Sequence, residues 1–267
     1  MRIACISDLH LSGETGGWKN YDWMEYFLVK LEDWEVDHLI ICGDIVAKYD
    51  DPADSDDFFN LRELLTSYGW YESKRCTIVP GNHDMRYMGN FPTIARSMRQ
   101  IYPKLFRGQA KYNKLPYIIT KVIGNVVIIG LDSVTDNPWT SFSKGYLDEC
   151  QTDELLRILK LSEIKDKYII IAMHHGPYEA GIATGHLVDY DEFWEVLGDD
   201  KAGDVNLIVH GHAHESFEEI NGDIDIVCVG GSMRDDGEAL IIDIDEENRG
   251  IEWWWLNIEE DDIEDNE

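Results

Sequence analysis

Five short apolar runs in this chain stop at the same kind of residue. "IACIS" runs into Asp8-Leu9-His10 and "HLIIC" into Gly43-Asp44. "CTIVP" runs into Gly81-Asn82-His83-Asp84, "YIIIAM" into His174-His175, and "NLIV" into His210-Gly211-His212-Ala213-His214. Short runs rich in Ile and Val read as strands buried on both faces, the kind found in parallel sheets. In open α/β sheets, ligands bind beyond the C-terminal ends of the strands. A fold that satisfies this pattern must bring five strand ends together, and with them a cluster of carboxylates and imidazoles.

The rest of the chain supports that fold class. Further strand-like runs are "PYIITKV", "VVIIGL", "DIVCV", "ALIIDI" and "IEWWWL". Between the early runs lie amphipathic segments. "YDWMEYFLVKLEDW" places Trp23, Phe27, Leu28 and Leu31 on one helical face, and "SDDFFNLRELLTSYG" carries an acidic start and ends at Gly69. "TDELLRILKLSEI" and "DYDEFWEVLG" are similar. Strand–helix–strand alternation predicts parallel strands with crossovers. Gly124-Asn125 predicts a hairpin, and "ALIIDIDEENRGIEWWWLN" predicts another. The expected class is therefore α/β with mixed sheets. A single domain is expected over residues 1–257, with residues 85–115 as a candidate lid or cap insertion. Residues 258–267 form an acidic tail expected to be disordered.

Composition narrows the function classes. The 267 residues carry a net charge of −30 and 44% hydrophobic residues. So negative a surface disfavours extended duplex nucleic acid and anionic lipid, because it offers no basic stripe to displace counterions. The longest apolar runs are too short to span a bilayer, and "MRIACISDLH" does not read as a signal peptide. A cytoplasmic location is expected. The five cysteines show no C-x-x-C spacing, and four sit in or beside apolar runs, where a small buried thiol is expected.

The strand-end residues point to metal chemistry. Imidazole suits Zn, Fe, Mn or Ni, and carboxylate and amide oxygens suit harder ions. There are too many ligands for one tetrahedral ion with an open position. They suit two ions sharing a carboxylate, an arrangement that serves in-line displacement at phosphorus. Arg86 directly follows the Gly81–Asp84 block, and its guanidinium is suited to phosphate. His175 is a candidate second contact with substrate. His210 reads as a packed strand-end residue.

These blocks, in this order, resemble the calcineurin-like metallophosphoesterases. The resemblance runs from Asp8 to His214. It implies a four-layer αββα sandwich of two mixed β-sheets with flanking helices. It implies that Asp8, His10, Asp44 and His214 hold one divalent ion, with Asp44 bridging, and that Asn82, His174 and His212 complete the second. The nucleophile would be a hydroxide between the ions. His83 would stabilise the phosphate or protonate the leaving group, and Asp84 would orient the motif. The protein phosphatases of the superfamily carry an arginine soon after G-D and read G-N-H-E, whereas this chain reads "GDIVAKYDD" and "GNHD". Leu131-Asp132-Ser133 resembles the cyclic-nucleotide and glycerophosphodiester branch. That branch reads H-H-P-P where this chain has His174-His175-Gly176-Pro177. A small phosphodiester or monoester is the expected substrate. The alternatives are a metal-dependent nuclease or a metal-binding partner module without turnover. Oligomeric state is not legible.

Overall fold

The computed structural model describes residues 1–11, 18–47, 56–72, 74–85, 118–134, 144–178, 187–200, 202–232, 237–245 and 250–258. The candidate insertion beyond Met85, including Arg86, lies outside the described residues, as does the tail beyond Ile258.

Two sheets carry the fold. In the first, β1 (Arg2–Ile6) is followed by helix α1 (Trp18–Asp33), β2 (His38–Ile41), α2 (Asp56–Ser67), β3 (Cys76–Ile78) and the short α3 (Asn82–Met85). The second contains β4 (Ile119–Ile123), β5 (Val126–Gly130), β6 (Tyr168–Ala172), β7 (Val205–His210), β8 (Phe217–Asn221) and β9 (Ile224–Cys228). Helix α4 (Glu149–Leu159) precedes β6, and α5 (Tyr190–Leu197) precedes β7. The chain then returns to the first sheet as β10 (Glu238–Asp245) and β11 (Gly250–Asn257). The strand orders are β11-β10-β1-β2-β3 and β4-β5-β6-β7-β9-β8. Both sheets are mixed. β1, β2 and β3 run parallel, as do β5, β6, β7 and β9, while β10, β11, β4 and β8 add antiparallel pairs.

The strand period of two builds four layers. In β1, Ile3 and Cys5 pack between the sheets, while Ala4 and Ile6 face the helices. In β6, Ile170 and Ala172 face inward, and Ile169 and Ile171 face α4 and α5. Trp23, Phe27 and Leu31 of α1 and Phe58, Leu61 and Leu65 of α2 cover one outer face. Leu155, Ile158 and Leu159 of α4 and Phe193 of α5 cover the other. Asp148 caps α4, accepting the Gln151 N–H at 3.0 Å. The expected αββα sandwich is thus the observed architecture. No helix among the described residues is long and apolar enough to cross a membrane.

Details follow the same physics. Both predicted hairpins are antiparallel pairs, β4–β5 and β10–β11. Trp253 and Trp255 pack toward the inter-sheet layer, and Trp254 faces outward at 40% exposure. Cys5, Cys42, Cys76 and Cys228 are buried thiols, and Cys150 is exposed. Sequence reasoning missed β8, a sheet edge whose Glu218, Glu219 and Ile220 all face solvent. Charged residues on such an edge discourage pairing with other chains.

Candidate metal centre

Parallel registers level the strand ends. Ile6 pairs with Ile41, and Ile41 with Ile78, so β1, β2 and β3 finish side by side. Ala172 of β6 pairs with Val209 of β7 in the same way. The ends of the two sheets face one another. His174, after β6, points Nδ1 at the Cys42 carbonyl beyond β2, 2.8 Å away. His212, after β7, donates its backbone N–H to Asp8 Oδ2 at 2.9 Å.

The loops that carry these residues are tight. Seven non-glycine residues among those described have positive φ, and five are Asp8, His10, Asp44, His212 and His214. Each costs on the order of 1–2 kcal/mol, and such strain concentrates where a site over-determines the backbone. Glycine lets the loops meet. A Cβ on Gly211 would stand 1.8 Å from Ser7 Oγ, and one on Gly81 would stand 2.1 Å from Asp44 Oδ1.

Two groups of side chains converge there. In the first, Asp8 Oδ1 lies 3.1 Å from His214 Nε2 and 3.8 Å from His10 Nε2. The two imidazole nitrogens are 3.4 Å apart. Asp8, His10, Asp44 and His214 form a set whose ligand atoms all fall within 4.8 Å of one another. In the second, His174 Nε2 lies 3.4 Å from Asp44 Oδ2, 3.1 Å from Asn82 Oδ1 and 3.1 Å from His212 Nδ1. Asp44 therefore stands between the groups. His175 is fully buried beside His174 and His212, and these three also form a set within 4.8 Å. Its Nδ1 lies 2.8 Å from Ser133 Oγ, which also accepts the His175 backbone N–H at 3.0 Å.

His83 and Asp84 take different places. The His83 backbone N–H donates to Asp44 Oδ1 at 2.8 Å. Its Nδ1 lies 2.8 Å from the Ala47 carbonyl, so that nitrogen carries the proton and Nε2 faces Asp44 Oδ2 at 3.9 Å. The His83 side chain is 43% exposed, open to an incoming molecule. Asp84 is buried. Its Oδ1 accepts from Ile45 N and Val46 N at 2.8 and 3.2 Å, and its Oδ2 from Gly81 N at 2.8 Å. It binds the loop after β2 to the loop after β3. His210 is no part of either group, and its Nε2 pairs with the Tyr178 hydroxyl at 2.9 Å.

The arrangement fits cations. Asp8 Oδ1 and Asp44 Oδ2 are buried and accept no hydrogen bond from a backbone N–H or a hydroxyl, and they face the His214 and His174 imidazole nitrogens, 3.1 and 3.4 Å away. Burial pushes the His10 and His212 imidazoles down to about 4. They are neutral at physiological pH and offer lone pairs. Burial opposes ionisation of Asp44, but His174, followed by His83 and His10, outweighs it and holds the carboxyl well below the usual range. Burial also acts to lower His174, yet Asp44 and Asp8 carry it up to about 9. A proton on His174 is then the counter-charge that a bound ion would replace. The donor set of imidazole, carboxylate and amide oxygen suits a transition-metal pair.

Sequence reasoning missed several supporting groups. They are the Ser7 hydroxyl, the carbonyls of Cys42 and Ala47, and the contact of the Ser133 hydroxyl with His175, a residue the sequence marks only as part of Leu131-Asp132-Ser133. Ser7 precedes a motif aspartate, but nothing in its type or spacing marked its hydroxyl. Backbone carbonyls leave no signal in a sequence.

Comparison with known proteins agrees with the fold. The fold is similar to a dimetal phosphatase from Danio rerio, with 14% identity, 97% of this chain and 98% of that chain covered, and a TM-score of 0.62. It is similar to the TT1561 protein of Thermus thermophilus, at 16% identity over 95% and 97% of the chains with a TM-score of 0.55. GAP50, described as the anchor in the inner membrane complex of Plasmodium, gives 15% identity over 97% and 89%, with a TM-score of 0.57. No curated protein matches the chain significantly in sequence. The family model for calcineurin-like phosphoesterases matches residues 1–216, which contain both groups of converging side chains, and the chain belongs to that family.

Proposed function

We propose that this chain is a hydrolase of small phosphodiesters or phosphomonoesters that works with two divalent ions. Asp8, His10, Asp44 and His214 hold the first ion, and Asp44, Asn82, His174 and His212 the second. The observation that carries this reading is the pair of buried carboxylate oxygens, Asp8 Oδ1 and Asp44 Oδ2. Each accepts no hydrogen bond from a backbone N–H or a hydroxyl and faces imidazole nitrogens instead. When bound, the ions supply Lewis acidity toward phosphate and lower the pKa of an attacking water.

The chain's own residues do the rest. With Nδ1 committed to the Ala47 carbonyl, His83 presents Nε2 to the reacting group. In its protonated form that nitrogen donates to a phosphate oxygen or to the leaving alkoxide. Asp84 ties the loop after β2 to the segment after β3 that carries His83, fixing where Nε2 points. Arg86 and His175 remain candidates for substrate contact, with Arg86 outside the described residues. The net charge of −30 favours small anions over polyanions, which weighs against a nuclease. A cytoplasmic setting and Mn, Fe, Zn or Ni as the ions belong to the same reading.

The test is hydrolysis of bis(p-nitrophenyl) phosphate and p-nitrophenyl phosphate with added Mn²⁺. Wild type is compared with Asp44→Asn and His83→Ala. Metal-dependent turnover that disappears in Asp44→Asn is expected, and the preferred ester separates diesterase from monoesterase. A folded wild type that holds two ions yet turns over neither ester would favour the binding-module reading.

A further inference from the structure

The departure from H-H-P-P at Gly176 has a physical partner elsewhere in the chain. A Cβ at Gly176 would stand 2.5 Å from the Tyr178 ring and 2.8 Å from His210 Cε1. The space a side chain would need is filled by these two rings, whose centroids lie 5.3 Å apart, edge to face. His210 is 1% exposed. Its Nε2 meets the Tyr178 hydroxyl at 2.9 Å and its Nδ1 meets the Gly211 carbonyl at 3.0 Å. A carbonyl accepts, so Nδ1 carries the proton and Nε2 accepts from the tyrosine O–H. The tautomer and the ring plane are both fixed.

That carbonyl belongs to the peptide joining Gly211 to His212. The oxygen end of the peptide is held by His210 Nδ1 and by the Ala213 N–H at 2.9 Å. The nitrogen end is held by Asp8 Oδ2 at 2.9 Å. A peptide clamped at both ends keeps His212 at φ 71°, in the left-handed region that a histidine adopts at a cost. The Gly211 N–H closes the circuit, donating to the His174 carbonyl at 3.0 Å. The loop His174–Tyr178 and the turn His210–His212 are thus cross-linked twice, once through backbone and once through side chains.

We infer that Tyr178 and His210 are positioning residues that set the separation of His174 and His212, and so the affinity for the second ion. This rests on the two-ion reading above. Neither residue touches an ion or substrate in this role. They hold the 3.1 Å spacing between His174 Nε2 and His212 Nδ1. Residues that orient metal-binding histidines typically contribute about 10–100-fold to affinity.

The experiment is a Co²⁺ titration of the metal-free full-length chain, followed by visible absorption and calorimetry. Wild type is compared with Tyr178→Phe, His210→Ala and His210→Asn. Wild type is expected to take up two ions in resolvable steps. Tyr178→Phe and His210→Ala are expected to weaken one of the two steps, the one that fills the His174–His212 site, roughly 10–100-fold and leave the other unchanged. His210→Asn, whose amide can donate near the Nδ1 position, is expected to fall between. Tyr178→Phe is the mildest change and keeps the ring, so its folding is secure. Two wild-type steps in Tyr178→Phe would overturn the inference. So would an equal loss of both steps together with a lowered Tm, which would mark a general structural role. A wild type that takes up fewer than two ions would overturn the two-ion reading itself, and this inference with it.

Discussion

Ser7 holds Asp8. The serine Oγ donates to Asp8 Oδ2 at 2.6 Å, a short charge-assisted bond between two fully buried side chains. With Oδ2 shared between Ser7 and the His212 N–H, Oδ1 is left to face His214 and His10. Ser7→Ala is therefore expected to weaken the first ion by roughly 10–100-fold while the fold survives. Calorimetric titration with Mn²⁺ reads this directly. Unchanged affinity would show that the His212 N–H alone orients the carboxylate.

Gly211→Ala tests the closeness of the two sheets at the site. The added methyl would overlap Ser7 Oγ, and the backbone there is already clamped. Overpacking a rigid interior costs about 1–3 kcal/mol, occasionally more. A loss at or above the upper end is expected in urea unfolding, with ion binding lost alongside. A variant as stable as wild type would show that the loops can separate.

Binding of ions to the folded chain stabilises it by mass action. At an ion concentration 100-fold above Kd, each site contributes about 2.7 kcal/mol. Mn²⁺ is expected to raise the unfolding midpoint and a chelator to lower it, in a concentration-dependent way. Asp44→Asn, which removes the carboxylate proposed to serve both ions, is expected to abolish that dependence. A midpoint indifferent to both additions would rule out ion binding.

Lys121 gives a pH dependence remote from the metal centre. It is 9% exposed and hydrogen-bonds to the Cys76 carbonyl. Burial lowers its ammonium from the ordinary 10.5 to about 8. Between these values the unfolded chain binds more protons than the folded one, so stability rises with pH from about 8 toward 10.5. Below pH 8 the full penalty of holding the charge is present. Lys121→Met is expected to stabilise the protein at neutral pH by on the order of 1–3 kcal/mol, and to flatten the rise at alkaline pH. Urea unfolding at neutral, mildly alkaline and strongly alkaline pH measures both effects.

How much of this was legible in the sequence depended on the range of the cause. The core followed from period alone, because Ile3, Cys5, Ile170 and Ala172 alternate with neighbours that face helices. The candidate ligands at the strand ends were visible because parallel strands deliver their ends to one edge. β8 was invisible, since two adjacent glutamates and an exposed isoleucine show neither alternation nor burial. α3, Asn82–Met85, overlaps the Gly81–Asp84 block and is too short to have a period. His210 stands outside both groups, and its partner Tyr178 is 32 positions away, so no local pattern joins them. The left-handed backbone at Asp8, His10, Asp44, His212 and His214 was hidden for a similar reason. It is imposed by loops meeting across the molecule, against the preference of each residue.

The centre is divided between two sheets that share no strand. Asp8, His10, Asp44 and Asn82 ride on one, and His174, His212 and His214 on the other. What aligns the halves is an apolar layer of interlocked side chains, Ile3, Cys5 and Ile40 against Ile170, Leu207 and Val209. A slip of a single residue between the sheets would move one half-site by about 3.3 Å, as far as the whole spacing between its candidate ligands. Manufacturing tolerance at the catalytic end is therefore set by greasy contacts well below it. A methyl group lost deep in that seam would be felt as a misaligned tool at the surface.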